Sequence, residues 1–299
     1  MGENKRTAPY DAIFPEDLGP NLSPEVFIPR TRRIQSRVAA GCQPSDSIAG
    51  IAGERETGAS VSVPNLQPAA PRCIRLAVLD LNGTTVIDGG AAEQAVAEAL
   101  GTLGVEGERL EAALALSRRS AGLDRAEVFT RLFPDDAETA RAACRAFTIA
   151  YDRMIAAGCL RPVPGAEETV HALRDRGVKV CLATGFGRHT QNSVLEELGW
   201  MGLADLSICS EDAGRGRPYP DMVLTAVLAL DVDDVREVLV AGDTTADITS
   251  ALRAGAGAAV GVLTGAHTAA ELTAAGATAV VRSVADLPAL LWGREAAAG

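Results

Sequence analysis

Acidic and hydroxyl side chains stand at three points where an apolar run of the sequence ends. Asp80 follows the first run and precedes a glycine-permitted turn, so its carboxylate can project as a nucleophile or a metal ligand. Thr184 and Gly185 end a second run, and Asp243 and Asp247 follow a third. Carboxylates that meet in one crevice repel each other unless a cation separates them, and hard oxygen ligands suit Mg²⁺. One such aspartate alone would be interpreted as a helix N-cap, but the three ends together favour a catalytic site that holds Mg²⁺.

The segments that must position these residues alternate between strand-like and helix-like patterns. From residue 74 onward, short apolar runs typical of buried strands alternate with segments of helical spacing. This alternation predicts an α/β fold, with a Rossmann-like, mostly parallel sheet covered by helices on both faces. Ligands of such sheets bind at the carboxyl ends of the strands, where the polar residues stand. The predicted strands are 74–79, 178–183, 206–209, 238–241 and 258–263, and the predicted helices are 167–176, 190–198, 220–230 and 247–254.

Two segments do not follow this alternation. Residues 89–161 are rich in Ala, Leu, Glu and Arg and show no strand pattern, so they predict a helical cap domain inserted after the first strand. The core then consists of residues 73–88 and 162–299. Residues 1–72 mix Pro, Ser, Gly and charged residues without a helical or strand period, which is typical of a disordered N-terminal tail.

The composition excludes several classes of function. The net charge of -11 and the pI of about 4.9 oppose binding to nucleic acid, whose phosphates an acidic surface repels. No apolar run approaches the roughly 20 residues that a membrane-spanning helix needs. Six cysteines without a C-x-x-C pair favour a reduced, cytoplasmic setting. We therefore expect a small-molecule partner and neither nucleic acid nor membrane, and a homodimer is compatible with the sequence.

In order and position these motifs resemble those of the haloacid dehalogenase-like (HAD) hydrolases. The similarity covers residues 74–292 and rests on the segment from Asp80 to Thr84, on Thr184, on Arg217 in Gly-Arg-Pro-Tyr-Pro, and on Asp243 with Asp247. It implies an Mg²⁺ ion held by Asp80, the main-chain carbonyl of Asn82, Asp243 and Asp247. It also implies that Asp80 attacks a phosphorus atom and forms an aspartyl-phosphate, which water then cleaves. The implied groups around the phosphoryl oxygens are Thr184, Arg217, Asn82, Gly83 and Gly185.

The residue two positions after the nucleophile separates branches of this family. Ordinary phosphatases of the family carry a second aspartate there, which protonates the leaving oxygen. Here the residue is Asn82, whose amide cannot titrate. Phosphonoacetaldehyde hydrolases also lack that aspartate, and the segments around Thr84, Gly185 and Arg217 are similar to theirs. Those enzymes form an imine between a cap lysine and the substrate aldehyde, whereas this chain carries Arg125 at the matching position, and a guanidinium does not form the imine.

The resemblance therefore favours a phosphonatase-like phosphatase, of phosphoglycolate phosphatase type, over a Schiff-base phosphonatase. Its substrate would be a small phosphorylated or phosphonate-like metabolite, with Arg125 contacting an anionic group on it. Three alternatives stay open. These are cleavage of a carbon–phosphorus bond as in phosphonoacetaldehyde hydrolases, metal-independent dehalogenation by the aspartate, and a catalytically decayed member kept for binding.

Overall fold

The structure is a computed structural model that describes residues 73–293, and eight β-strands lie in that range. Six of them form one parallel sheet, and two form a separate antiparallel pair. The strands are β1 (Leu76–Asp80), β2 (Val86–Ile87), β3 (Arg161–Pro162), β4 (Lys179–Thr184), β5 (Leu206–Cys209), β6 (Val238–Gly242), β7 (Ala258–Val262) and β8 (Ala279–Val281). The predicted disordered tail, residues 1–72, lies outside the described residues.

The first strand, β1, lies inside the six-stranded sheet, whose order is β5-β4-β1-β6-β7-β8. It is buried along its whole length, and its alternate residues belong to two apolar clusters. Its neighbours β4 and β6 run parallel to it, so that Asp80 lies beside Ala183 and Leu79 lies beside Ala241. The carboxyl ends of the three strands therefore meet at one edge of the sheet, and the predicted α/β fold with a mostly parallel sheet is confirmed.

Eleven α-helices lie among residues 73–293, and the first four follow one another without a strand between them. None of the helices in this part of the chain is long and apolar enough to cross a membrane. The division of the chain into a core and a cap stays a prediction. The helices are α1 (Ala91–Thr102), α2 (Gly107–Arg119), α3 (Arg125–Leu132), α4 (Ala137–Ala156), α5 (Ala166–Asp175), α6 (Arg188–Glu197), α7 (Ser210–Ala213), α8 (Asp221–Ala229), α9 (Thr245–Ala254), α10 (Ala269–Ala274) and α11 (Leu287–Trp292).

The antiparallel pair joins the two ends of this four-helix segment. Val86 pairs with Pro162 and Ile87 with Arg161, so β2 leads into α1 and β3 follows α4. The sequence predicted no strand at either position, because a strand of two residues is too short to show a period. The terminal elements α10, β8 and α11 were not predicted either, and each of them has at most six residues.

Aromatic side chains connect the four-helix segment to a loop of the sheet. Phe147 stacks on Tyr151 with ring centroids 5.5 Å apart, and both residues belong to α4. Phe186, in the loop after β4, lies 5.9 Å from Phe147 and 5.2 Å from Tyr151 between ring centroids. Helix α4 is therefore packed directly against the loop that follows Thr184.

Candidate active site

Four buried charged side chains converge at the carboxyl ends of β1 and β6. Asp80 ends β1, Asp243 follows β6, and Asp247 lies in the first turn of α9. The guanidinium of Arg217 lies between two of them, with Nη1 2.7 Å from Oδ1 of Asp80 and Nε 2.7 Å from Oδ1 of Asp247. The single positive charge of Arg217 therefore contacts two of the three carboxylates, and the four groups together leave an excess of negative charge in a buried place.

The acidities of these groups reflect that imbalance. Burial raises the pKa of Asp80 well above its ordinary value, and the charges of Asp247 and Asp243 add to this rise while Arg217 opposes it. Burial, together with the charge of Asp247, also raises the pKa of Asp243 to about 6. Burial lowers the pKa of Arg217, but the neighbouring carboxylates outweigh it and the net pKa is raised, so this side chain is a permanent cation. The site thus has the charge and the oxygen donors for a second, hard cation.

Asp243 is held in place by groups from two loops. Its Oδ1 accepts a hydrogen bond from the Thr84 hydroxyl at 3.3 Å, and its Oδ2 accepts one from the N–H of Ala266 at 2.7 Å. A side chain at Gly83 would collide with this carboxylate, and the positive φ of 87° there also requires glycine. The carbonyl of Gly83 accepts a hydrogen bond from the Thr264 hydroxyl at 2.6 Å. The turn after β1 is therefore fixed by the loop after β7.

Asp247 combines a helix cap with a charge contact. Its Oδ2 accepts hydrogen bonds from the N–H and the hydroxyl of Thr244, at 3.1 Å and 2.5 Å, which forms a capping box at the start of α9. Its Oδ1 faces Arg217. Asp247 therefore both caps α9 and belongs to the charged site. Its role as a metal ligand stays a prediction.

Thr184 ends β4 at the same edge of the sheet. Its Oγ1 accepts a hydrogen bond from the N–H of Phe186 at 3.2 Å, so the hydroxyl hydrogen can be donated to another acceptor. The carbonyl of Gly185 accepts a hydrogen bond from the N–H of Arg125 at 3.0 Å, and a side chain at Gly185 would meet the carbonyl of Leu123. The loop before α3 therefore packs directly on the loop after β4.

The amide of Asn82 belongs to a network that no sequence pattern indicated. Its Nδ2 donates to Oδ2 of Asp88 at 3.1 Å and to the Tyr151 hydroxyl at 2.8 Å, and that hydroxyl lies 3.3 Å from the same Asp88 oxygen. The carboxylate of Asp88 also accepts hydrogen bonds from the N–H groups of Gly90 and Ala92, at the start of α1. Burial raises the pKa of Tyr151, so its hydroxyl stays protonated. Asn82 is thus held as a hydrogen-bond donor and tied to α4.

Arg125 is the first residue of α3 and lies among aromatic rings. The carbon at the centre of its guanidinium is 5.0 Å from the ring centre of Phe147 and 5.6 Å from that of Phe186. Its hydrogen bond to the Ser117 hydroxyl is long, at 3.4 Å, and its Nε is buried without a hydrogen-bond partner in the described part of the chain. Burial lowers the pKa of Arg125. This cation therefore differs from Arg217, which faces two carboxylates.

Eight of the nine candidate residues line one cavity of about 370 Å³: Asp80, Asn82, Gly83, Arg125, Thr184, Gly185, Arg217 and Asp243. The ninth, Asp247, is buried and meets the cavity through its contact with Arg217. Asp88, Thr264 and Ala266 also line the cavity and were not selected from the sequence. Thr264 and Ala266 follow the predicted strand 258–263, so the sequence could have predicted that they lie at the same edge of the sheet as the site. No sequence pattern placed Asp88 or Tyr151 at the site, because neither residue stands at the end of a predicted strand.

Residues 74–255 match the family model of a haloacid dehalogenase-like hydrolase. This stretch is more than half of the 299-residue chain and includes all nine candidate residues. The chain belongs to the haloacid dehalogenase-like hydrolases. The resemblance that the motifs indicated is confirmed by this match, and so is the prediction that the chain is a hydrolase.

Curated relatives of this HAD hydrolase carry the name phosphonoacetaldehyde hydrolase. The protein of Hahella chejuensis is 39% identical over 98 residues, which cover 32% of this chain and 33% of the relative. The protein of Bordetella pertussis is 38% identical over 96 residues, which cover 32% of this chain and 35% of the relative. The match thus spans about a third of the length of these relatives, so it bears on the family branch and not on the whole activity.

Solved structures share the fold over most of the HAD chain. A hydrolase from Pseudomonas syringae has a TM-score of 0.63 and 26% identity, and the match covers 71% of this chain and 95% of that one. A phosphonoacetaldehyde hydrolase-like protein from Oleispira antarctica also has a TM-score of 0.63 and 26% identity, with 75% and 92% covered. The fold of this chain is thus shared with both solved structures over most of their length.

Proposed function

We propose that this HAD hydrolase cleaves a small phosphorylated metabolite through an aspartyl-phosphate on Asp80, with Mg²⁺ as its cofactor. The observation that carries the proposal is the placement of Asp80, Thr184, Arg217 and Asp243 around one cavity at the carboxyl ends of the parallel strands. A cavity of about 370 Å³ suits a small metabolite. The phosphonoacetaldehyde hydrolase relatives support a substrate that carries phosphorus.

The residues of the site fit an Mg²⁺ ion. The site holds three buried carboxylates and one guanidinium, and the pKa values of Asp80 and Asp243 are raised. A divalent cation would therefore relieve repulsion that the protein leaves in place. No three His, Cys, Asp or Glu side chains among residues 73–293 are grouped closely enough to form a metal site by themselves. We therefore assign Asp80, Asp243 and the main-chain carbonyl of Asn82 as ligands, and water would complete the shell. When bound, Mg²⁺ supplies charge neutralisation at the phosphoryl oxygens.

The chain's own residues account for the first half of the reaction. Arg217 orients the Asp80 carboxylate, favours its ionised form and can bind a phosphoryl oxygen. Thr184 can donate its hydroxyl hydrogen to a second oxygen, because its Oγ1 already accepts from the main chain. An Asp80 oxygen then displaces the leaving group in line, and the resulting acyl phosphate is cleaved by water.

This site differs from that of an ordinary phosphatase in how the leaving group can depart. Asn82 cannot donate a proton, and its amide is engaged by Asp88 and Tyr151. We therefore expect acyl or enol phosphates, which leave without protonation, to be better substrates than alkyl phosphates.

The position of Lys179 does not support cleavage of a carbon–phosphorus bond through an imine. Lys179 is the only lysine among residues 73–293, and it stands at the start of β4, whose far end carries Thr184. A strand rises about 3.3 Å per residue, so roughly 16 Å of strand separates the lysine from the edge with the site. Its Nζ donates to the carbonyl of Leu230.

The proposal is tested by phosphate release with and without Mg²⁺, over a panel of acyl, enol and alkyl phosphates and phosphonoacetaldehyde. We expect release that chelation abolishes and that Asp80→Asn reduces by at least about a thousandfold, as for loss of a nucleophile. The matched control is Asp231→Asn, an exposed residue with a positive φ of 53° that asparagine tolerates. Turnover that survives Asp80→Asn would refute the mechanism. Absence of phosphate release from every compound of the panel would instead favour dehalogenation or a decayed binding protein.

A further inference from the structure

Arg125 carries a positive charge that no residue of the described chain neutralises. No carboxylate among residues 73–293 makes an ion pair with it, its Nε has no hydrogen-bond partner, and its contact with Ser117 is long at 3.4 Å. The rings of Phe147 and Phe186 attract the guanidinium but offer no hydrogen-bond acceptors. The Nε donor of Arg125 is therefore buried without a protein acceptor, which costs free energy unless another group supplies one.

The acidic residues closest to Arg125 are occupied by other donors. Asp124 caps α3 by accepting from the N–H of Glu127 at 3.0 Å, and its other oxygen accepts from the Ser210 hydroxyl. Asp88 accepts from two main-chain N–H groups, from Asn82 and from Tyr151. Both carboxylates thus have other donors, and neither makes an ion pair with Arg125, so its Nε is available to a ligand.

The position of Arg125 relative to the phosphoryl site is fixed through the main chain. Its N–H donates to the carbonyl of Gly185, the residue that follows Thr184, at 3.0 Å. Gly122, three residues earlier, has a positive φ of 80°, and a side chain there would collide with Thr244. The loop that ends at Arg125 is therefore seated on the loops after β4 and β6, and its guanidinium lines the same cavity as Asp80.

We propose that Arg125 binds a carboxylate of the substrate, so that the substrate class is a small phosphorylated or phosphono carboxylic acid. This inference rests on the proposed function, which places the phosphorus at Asp80. A planar carboxylate matches the planar guanidinium and neutralises its single charge. A second phosphate would bring about two negative charges to this one cation. The aromatic rings on the guanidinium fix its plane, which favours recognition of one planar anionic group over a general attraction for anions.

The test is isothermal titration calorimetry with Mg²⁺ and three pairs of phosphonates that differ only in a carboxylate. The pairs are phosphonoformate with methylphosphonate, phosphonoacetate with ethylphosphonate, and 3-phosphonopropionate with propylphosphonate. For at least one pair, we expect the wild-type protein to bind the carboxylate compound roughly 10- to 100-fold more tightly, as for a charge-assisted hydrogen bond. This comparison needs no variant, so it does not depend on whether a substitution folds.

Two variants then assign the preference to Arg125. Arg125→Gln is expected to bring the ratio of the two Kd values close to one while the Kd of the alkylphosphonate stays unchanged, and Arg125→Lys is expected to retain part of the preference. The matched control is Arg118→Gln, because Arg118 is exposed and paired with Glu93 at 2.6 Å. This control should keep the wild-type ratio.

The possible failures are distinguishable. Alkylphosphonates that bind with no gain from a carboxylate, or a gain that survives Arg125→Gln, would overturn this inference and leave the proposed function intact. Tighter binding of methylenebisphosphonate than of every phosphonocarboxylate would also overturn it, in favour of a second phosphate. Absence of binding by either series would refute the phosphoryl site itself, and this inference with it.

Discussion

Replacing Asn82 by Asp would place a carboxylate where the structure holds a hydrogen-bond donor. The two side chains have nearly the same shape, so one new oxygen would take the place of Nδ2, which lies 3.1 Å from Oδ2 of Asp88 and 2.8 Å from the Tyr151 hydroxyl. The tyrosine can turn its hydrogen toward the new oxygen, but Asp88 has no hydrogen to offer. The substitution therefore exchanges an attraction for a repulsion between two partly buried carboxylates.

The distance gives the size of this repulsion. Two unit charges 3.1 Å apart, at an effective dielectric constant of about 20, repel by roughly 5 kcal/mol. The variant can relieve part of this by binding a proton, so the pKa of the new carboxyl at position 82 would be raised above its ordinary value. A folded-state pKa that is raised means that stability is retained at low pH and lost as the pH rises through that pKa. We expect Asn82→Asp to lose about 2–4 kcal/mol of unfolding free energy near pH 8 and much less near pH 5.

Urea unfolding across this pH range measures the effect directly. Asp88→Asn in the same background should recover most of the loss, because an amide at position 88 can donate to the new carboxylate. A pH dependence of Asn82→Asp identical to that of the wild-type protein would refute the reasoning. At low pH the new aspartic acid at position 82 also carries a proton that it can give to the leaving group. Turnover of alkyl phosphates should therefore rise relative to that of acyl phosphates. No rise would contradict our explanation of the substrate preference.

Two further predictions concern the charges around Asp80. Arg217→Met should lower the unfolding free energy by about 3–5 kcal/mol, because it leaves buried carboxylates without their cation, and Arg217→Lys should lose less. A methionine variant as stable as the wild-type protein in urea would contradict the ion-pair account. The pKa of Asp243 near 6 in the metal-free protein means that its contribution to stability is complete below about pH 4 and is lost as the pH rises through about 6. Mg²⁺ should therefore raise the melting temperature more near pH 7.5 than near pH 5.5 in thermal-shift measurements. An equal gain at both pH values would count against Asp243 as a ligand.

The sheet was predictable because its inner strands are short and mainly apolar. β1, β4 and β6 are buried over nearly their full length, so each stands out from the polar turn that follows it. The same rule failed for β2, β3 and β8, which have two or three residues and too few side chains to show a period. The helices predicted between the strands agree with α5, α6, α8 and α9 to within about two residues at each end.

The site was predictable as far as it depends on strand ends. Asp80, Thr184 and Asp243 follow neighbouring strands, and a parallel sheet brings such residues together at one edge. The partners of Asn82 were not predictable, since Tyr151 is 69 residues away and is joined to it only by tertiary packing. The same holds for the unpaired state of Arg125, because only the packed structure shows which carboxylates lie close to it and which donors hold them.

The most direct test of the account is detection of the covalent intermediate on Asp80. The enzyme is mixed with Mg²⁺ and an acyl phosphate, quenched in acid during turnover, digested and analysed by mass spectrometry. The proposed mechanism predicts a peptide that contains Asp80 and carries one added phosphoryl group, and this species should be absent without Mg²⁺ and in Asp80→Asn. Phosphate release without any phosphorylated Asp80 peptide, or phosphorylation of another residue, would contradict it.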